Sequence, residues 1–150
     1  MSLRIQLTDQ IKLAMKARDI EALNALRYLL SLVRNSEIDL KHDLSDEEFI
    51  SLLQKEVKRR REAIEQFKTA GRQELVATEE TQLTVLMQFL PKQMSKEEIE
   101  AEVTKLVAEL PSKGMSIAMR EIMPKFKGRA DGKIVFDAVK VVLQQTSIIL

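Results

Sequence analysis

A chain of 150 residues that is 45% apolar and 31% charged can bury one compact core or two small ones, which excludes a disordered linker or tail. Its 24 lysines and arginines face 23 acidic residues, so the net charge of +1 points to no class of partner. With no cysteine there is no disulfide framework, thiolate metal site or thiol nucleophile; the composition suits a reducing compartment, and a cytoplasmic location is expected.

Met1-Ser2-Leu3-Arg4 turns polar at once, without the apolar run and cleavage site of a signal peptide. No stretch approaches the roughly 20 apolar residues of a membrane span, and the terminal Ile148-Ile149-Leu150 is too short. A soluble protein with no membrane partner is expected. Leu3, Leu7, Ile11 and Met15 recur at a spacing of four and predict an amphipathic helix. Asp19 caps a second, from 20 to about 38, with Leu23, Leu26, Leu30 and Val33 inward and Arg27 and Arg34 on a nearby stripe. His42 lies in the polar connection that follows.

Ser45-Asp46-Glu47-Glu48 has the form of a capping box and opens a long third helix. Phe49, Leu52, Leu53, Val57, Ile64 and Phe67 face inward along it, and Ala70-Gly71 ends it. A fourth helix carries Leu75, Leu83, Leu86 and Leu90 and closes at Pro91, the first proline in the chain. Shorter units follow, so we place a domain boundary there, giving 1–91 and 92–150. Ser95-Lys96-Glu97-Glu98 is a second capping box, and Ile99, Val103, Leu106, Val107 and Leu110 stripe the helix that ends at Pro111. Ser116 caps a short helix with Ile117, Met119, Ile122 and Met123, ended by Pro124 and Gly128. Asp131 caps the last, whose β-branched face of Ile134, Val135, Ala138, Val139, Val142 and Leu143 keeps helical spacing for three turns. The fold expected is all-α, four helices followed by three.

Self-sufficient catalysis needs an activated nucleophile, a base and donors for the developing charge. His42 is the sole histidine and reads as a surface residue, no histidine pair exists for zinc, and the acidic clusters at helix starts read as caps. Neither phosphate-binding glycine loop is present. We therefore expect no catalytic residue, no metal and no cofactor. Two basic features remain. Lys55, Lys58, Arg59, Arg60 and Arg61 are either a functional patch or a solvated face paired with Glu56, Glu62 and Glu65. Lys125-Phe126-Lys127-Gly128-Arg129-Ala130-Asp131-Gly132-Lys133 sets four cations around two glycines before a helix start. Free amides there would accept an anion, glycine would permit close approach, and the cations would hold phosphates; a plain turn capped by Asp131 is the alternative.

A resemblance extends this reading. Arg27, Arg60 with Glu62, Ile64 to Phe67, Ala70-Gly71-Arg72, Leu75, the segment 83–86, Phe89-Leu90-Pro91-Lys92-Gln93, Glu98-Ile99, Met115, Met119 and Lys127-Gly128-Arg129-Ala130-Asp131-Gly132 resemble the GatB/YqeY family over essentially the whole chain. The family usually has Ser at the place of Ala63, Tyr at Phe89 and Gly at Ser116. The chain is similar to the C-terminal tail of the GatB subunit of the glutamine-dependent aminoacyl-tRNA amidotransferase. That tail, the resemblance implies, binds tRNA, while kinase chemistry and glutamine hydrolysis lie in parts with no counterpart here. A carbon-nitrogen ligase label would thus be inherited. The expectation is a tRNA- or RNA-binding module with Lys125, Lys127, Gly128, Arg129 and Lys133 at the RNA and Arg59, Arg60 and Arg61 as a secondary patch. With 4% aromatic residues and no tryptophan, base stacking has little support and structured RNA is the expected target. The rivals are an accessory that docks to the amidotransferase subunits, and a protein scaffold whose basic stripes are solvation only.

Overall fold

Most of the longer helices begin where a short polar side chain accepts from the first turn. The computed structural model describes residues 2–149 and the side chains of residues 2–146, so Met1 and the side chains of the apolar Ile148-Ile149-Leu150 end lie outside what is described. The chain is all-α: α1 (Leu3–Ala17), α2 (Ile20–Leu40), α3 (Asp46–Thr69), α4 (Gln73–Met87), α5 (Lys96–Ala108), α6 (Met115–Ile122) and α7 (Gly132–Ile149). A 3-10 turn spans Met123–Phe126, and no strand occurs among the described residues. The helices fall into two compact units, Met1–Leu90 and Pro91–Leu150.

In the first unit, Ser2 Oγ accepts from the Ile5 amide at 3.2 Å and Asp19 Oδ1 from the Ala22 amide at 3.1 Å. Both halves of the Ser45–Glu48 box form, at 3.1 and 3.2 Å. Asp46 Oδ1 takes the Leu3 amide at 2.9 Å, so the start of α3 satisfies an orphan donor of α1. Arg18 and Lys41 end α1 and α2 with φ of 55° and 61°, left-handed positions that a non-glycine residue adopts at a cost on the order of 1 kcal/mol. Leu7 and Ile11, Leu26, Leu29 and Val33, Phe49, Leu53 and Val57, and Leu86 meet in one core. Phe89 closes it, its ring centroid 5.9 Å from that of Phe49.

Some expected positions shift. Met15 is half-exposed and Ala14 takes its inward place; Leu29 is fully buried where Leu30 packs only partly; α4 stops at Met87, and a short turn carries Phe89 inward before Pro91.

The same unit buries two charges. Glu56 and Arg60, one helical turn apart on α3, meet at 2.9 Å. Arg60 Nη1 also reaches Glu79 at 3.1 Å and Gln82 Oε1 at 2.7 Å on α4, and Gln82 donates to Glu21 of α2 at 3.0 Å. Arg59 forks onto Glu56 and donates to the Tyr28 hydroxyl at 3.1 Å, while both guanidinium groups stand 5.5 Å from the centre of the Tyr28 ring. Three helices are thereby held in one register, with both members of the buried ion pair supplied with hydrogen-bond partners.

The second unit packs Ile99, Val103 and Val107 of α5 and Ala118 and Ile122 of α6 against Val135, Ala138, Val139 and Leu143 of α7, with Phe126 and Ala130 between them. Ser95 accepts from the Glu98 amide at 3.1 Å, but Glu98 does not reach back, so the second box is half formed. Gly114, not Ser116, precedes α6, and Ser116 lies within its first turn. Pro124 lies in the first turn of the 3-10 helix that Met123 opens, where a missing N–H costs little.

Two stability tests follow from these contacts. Arg60→Ala leaves the buried Glu56 with Arg59 alone and takes the guanidinium from Glu79 and Gln82, so it should cost about 3 kcal/mol in chemical denaturation, whereas Arg59→Ala, at a half-exposed position, should cost under about 1 kcal/mol; equal losses would show that the network is not the buried element described. The second concerns acid. The Arg4 guanidinium, bonded to Glu37 at 2.7 and 3.1 Å, holds that carboxyl below its ordinary value, with the Leu44 amide adding to the effect. A folded value below the unfolded one stabilises above the ordinary glutamate value of about 4.3 and is lost as pH falls through the folded value. Glu37→Gln should flatten that part of the acid limb of a melting-temperature profile, and parallel wild-type and variant profiles would refute the contribution.

Candidate functional site

The turn between α6 and α7 is built on main-chain hydrogen bonds. The buried Phe126 roots it, and its carbonyl accepts from the amides of Arg129 at 2.9 Å and Ala130 at 3.2 Å. Gly128 follows with φ of 81°, a conformation that glycine adopts at least cost. The segment after Pro91 stitches the turn from outside: Gln93 Nε2 donates to the carbonyls of Pro91 at 2.8 Å and Gly128 at 2.9 Å, and the Met94 amide donates to the Arg129 carbonyl at 2.8 Å. The Gly128 and Arg129 carbonyls and the Arg129 and Ala130 amides are thus taken by internal contacts, and the side chains of Lys125, Lys127, Arg129 and Lys133 are exposed.

Those four cations lack acidic partners. Among the described residues none has a carboxylate oxygen within 4.0 Å of its charged nitrogens. Arg129 rests one nitrogen 3.4 Å from the Lys125 carbonyl and another 3.5 Å from Met94 Sδ, contacts that orient the guanidinium without neutralising it. In a chain of nearly balanced charge, such a group meets an outside anion without competition from a bonded carboxylate, a freedom that Lys55, Lys58 and Arg61 of α3 share but do not combine with a glycine turn.

Two details correct the expected picture of this turn. The first-turn amide of α7 is not free: Lys133 N donates to Asp131 Oδ1 at 2.8 Å, and the Asp131 carbonyl accepts from Val135 at 3.1 Å. The chain's own carboxylate takes the Lys133 amide, so the cap and the exposed cations coexist and that amide is closed to a phosphate. Gly128 is buried, and its carbonyl is taken by Gln93, so it shapes the turn and presents no surface to a ligand.

The α3 patch divides more sharply. Arg60, grouped with Arg59 and Arg61 as a secondary contact surface, is buried, with a side chain only 6% exposed, and is committed to Glu56 and Glu79. Arg59 is exposed but forked onto Glu56; Arg61 is exposed and touches only Met87 Sδ, at 3.8 Å. Of the neighbouring acids, Glu56 takes two arginines and Glu65 pairs with Lys68 at 3.6 Å. Lys55 and Lys58 are exposed. His42 is also exposed, its Nδ1 2.8 Å from the Asp43 carbonyl and its Nε2 3.6 Å from Glu48. Gln93, whose amide clamps the turn, was visible only as part of a resemblance; a single polar residue after a proline carries no local signal for such a role.

Among the described residues, no group of three His, Asp or Glu could hold a metal ion, and no helix is long and apolar enough to cross a membrane. The sequence profile of the Yqey-like proteins matches residues 4–143. Altered inheritance of mitochondria protein 41 of Lachancea thermotolerans is 31% identical over 127 residues, 83% of this chain and 68% of that protein. The protein of the same name in Pyrenophora tritici-repentis is 32% identical over 131 residues, covering 83% of this chain and 71% of its own. An uncharacterized protein of Schizosaccharomyces pombe is 35% identical over 82 residues, 55% of this chain and 67% of that one. The first two names place their proteins in mitochondria, which overturns the expectation of a cytoplasmic location. That expectation rested on missing cysteines, and a thiol-free composition does not separate one reducing compartment from another. With a profile match across nearly all of its length, the chain belongs to the Yqey-like family.

Proposed function

We propose that this chain is an RNA-binding module whose C-terminal unit lays the turn at residues 125–133 on the phosphates of tRNA or another structured RNA. One observation carries the reading: Lys125, Lys127, Arg129 and Lys133 stand exposed on one backbone-anchored turn with no carboxylate within 4.0 Å among the described residues, while Arg59 and Arg60 on α3 are consumed by Glu56. Arg129 offers the planar fork suited to phosphate oxygens, and the three lysines act as point charges on flexible stems. Arg61 is what remains of the secondary patch. The resemblance to the tail of the tRNA amidotransferase favours tRNA among structured RNAs, and the names of the yeast and fungal relatives favour a mitochondrial setting.

A second reading, an accessory that docks to an amidotransferase using glutamine as nitrogen donor, is favoured by Ile20 and Ile38, which are 68% and 72% exposed. They are 18 residues apart, five whole turns, and so share one face of α2. Capture of an identified amidotransferase subunit, lost in an Ile20→Asp/Ile38→Asp variant that still folds, would favour docking; tRNA recovered without it favours the first reading.

Replacing Lys127 and Arg129 together by alanine should weaken binding to total tRNA and lower the slope of log affinity against log salt by about 1.4–1.8, at about 0.7–0.9 per phosphate contact. An unchanged slope would exclude the turn as the contact. Asp131→Asn keeps a good helix cap and removes the one carboxylate in the turn. Its affinity for tRNA should rise a few-fold with little change in melting temperature, and no rise would argue that phosphates do not approach this surface.

A further inference from the structure

The aromatic residues are few, and two of them are exposed: Tyr28, at 41%, is engaged by Arg59 and Arg60, which leaves Phe136. Phe49, Phe89 and Phe126 are buried in the two cores and Phe67 is half-buried, whereas Phe136, in the second turn of α7, is 42% exposed. A phenyl ring has no polar tip that water could satisfy. Lys133 stands three residues before it and Lys140 four after it, the spacings at which side chains on a helix become neighbours. Both lysines are exposed, and neither has a carboxylate within 4.0 Å among the described residues. Asp137 shares the outer face of the helix, but 100° per residue sets the two lysines between it and the ring. Lys133 is also the last cation of the basic turn, so the ring continues that surface.

We propose that the outer face of α7, with Phe136 between Lys133 and Lys140, is a stacking site for an unpaired base of the RNA whose phosphates the 125–133 turn holds. The proposal rests on the RNA reading above and narrows its substrate class to structured RNA with an unpaired nucleotide beside a paired stem. A base laid on the ring gains a contact that every base can make, since each has a π-face, and its flanking phosphates come within reach of the two lysine stems. A blunt duplex keeps its bases stacked on one another and can use only the lysines and Arg129. The chain-wide aromatic fraction of 4% bears on how many bases are stacked, not on whether one is.

The test uses two RNAs with the same paired stem, one blunt and one with a short single-stranded 3′ overhang. Because the chain has no tryptophan, Phe136→Trp introduces a sole indole, whose fluorescence should be quenched by the overhang RNA and not by the blunt one. Phe136→Ala and Phe136→Leu should each bind the overhang RNA about ten-fold more weakly, with the salt slope and blunt-RNA affinity unchanged, since stacking carries no counterion release. The Lys127→Ala/Arg129→Ala variant should lose affinity for both. If Phe136→Ala or Phe136→Leu binds the overhang RNA like wild type while the Lys127/Arg129 variant loses both, the stacking site is refuted and the RNA reading stands. If wild type binds neither RNA, the RNA reading fails and takes this proposal with it. Circular dichroism melting of each variant separates lost contact from lost fold.

Discussion

Main-chain hydrogen bonds hold the turn before α7, and this decides what its side chains are free to do. The Phe126 carbonyl receives two amides, Gln93 clamps the carbonyl of Gly128, and the Met94 amide takes that of Arg129. A loop held by ion pairs would have spent its cations on its own shape. Here the cations add only the long contacts of Arg129 to the Lys125 carbonyl and Met94 Sδ, so Lys125, Lys127, Arg129 and Lys133 can meet an anion without the turn coming apart. The one acid in the turn, Asp131, is occupied as a helix cap, its Oδ1 on the Lys133 amide.

The N-terminal unit uses charge in the opposite way. Glu56 and Arg60 lie inside it, with Glu79, Gln82 and Glu21 completing their hydrogen bonds across α2, α3 and α4. Burying such ions gains little net free energy, but removing one partner is costly, so the network ties α2, α3 and α4 to one another at a single polar point within the apolar core. Within one chain of nearly neutral charge, two arginines thus serve opposite ends: Arg60 is pinned between helices in one unit, and Arg129 is left to solvent in the other.

Much of the fold was legible because caps and apolar spacing agree. Ser45, Asp19 and Asp131 stand at the starts of their helices, and α7 is helical despite its β-branched residues because the three-four spacing persists. What misled was depth. Arg60 has the same composition around it as Arg59 and Arg61, yet it falls three residues after Val57 and four before Ile64, on the stripe that the core claims. The phase held that information and the basic cluster drew attention from it. Asp131 was visible as a cap, and a cap that takes a first-turn amide leaves that amide closed to a phosphate. Phe136 was lost in an average, since a composition says nothing about which ring faces water. The clamp made by Gln93 was not readable from local sequence, because its partner carbonyl is 35 residues away.

The claim on which the account turns is that RNA meets the chain at residues 125–140 and not at the arginines of α3. Amide and side-chain NMR shifts of the full chain, followed through a titration with tRNA at low salt, address it directly. The account predicts perturbations concentrated on Lys125, Lys127, Arg129, Lys133 and the outer face of α7, with Arg59 and Arg60 unmoved. Shifts confined to α3, with residues 125–140 silent, would contradict it.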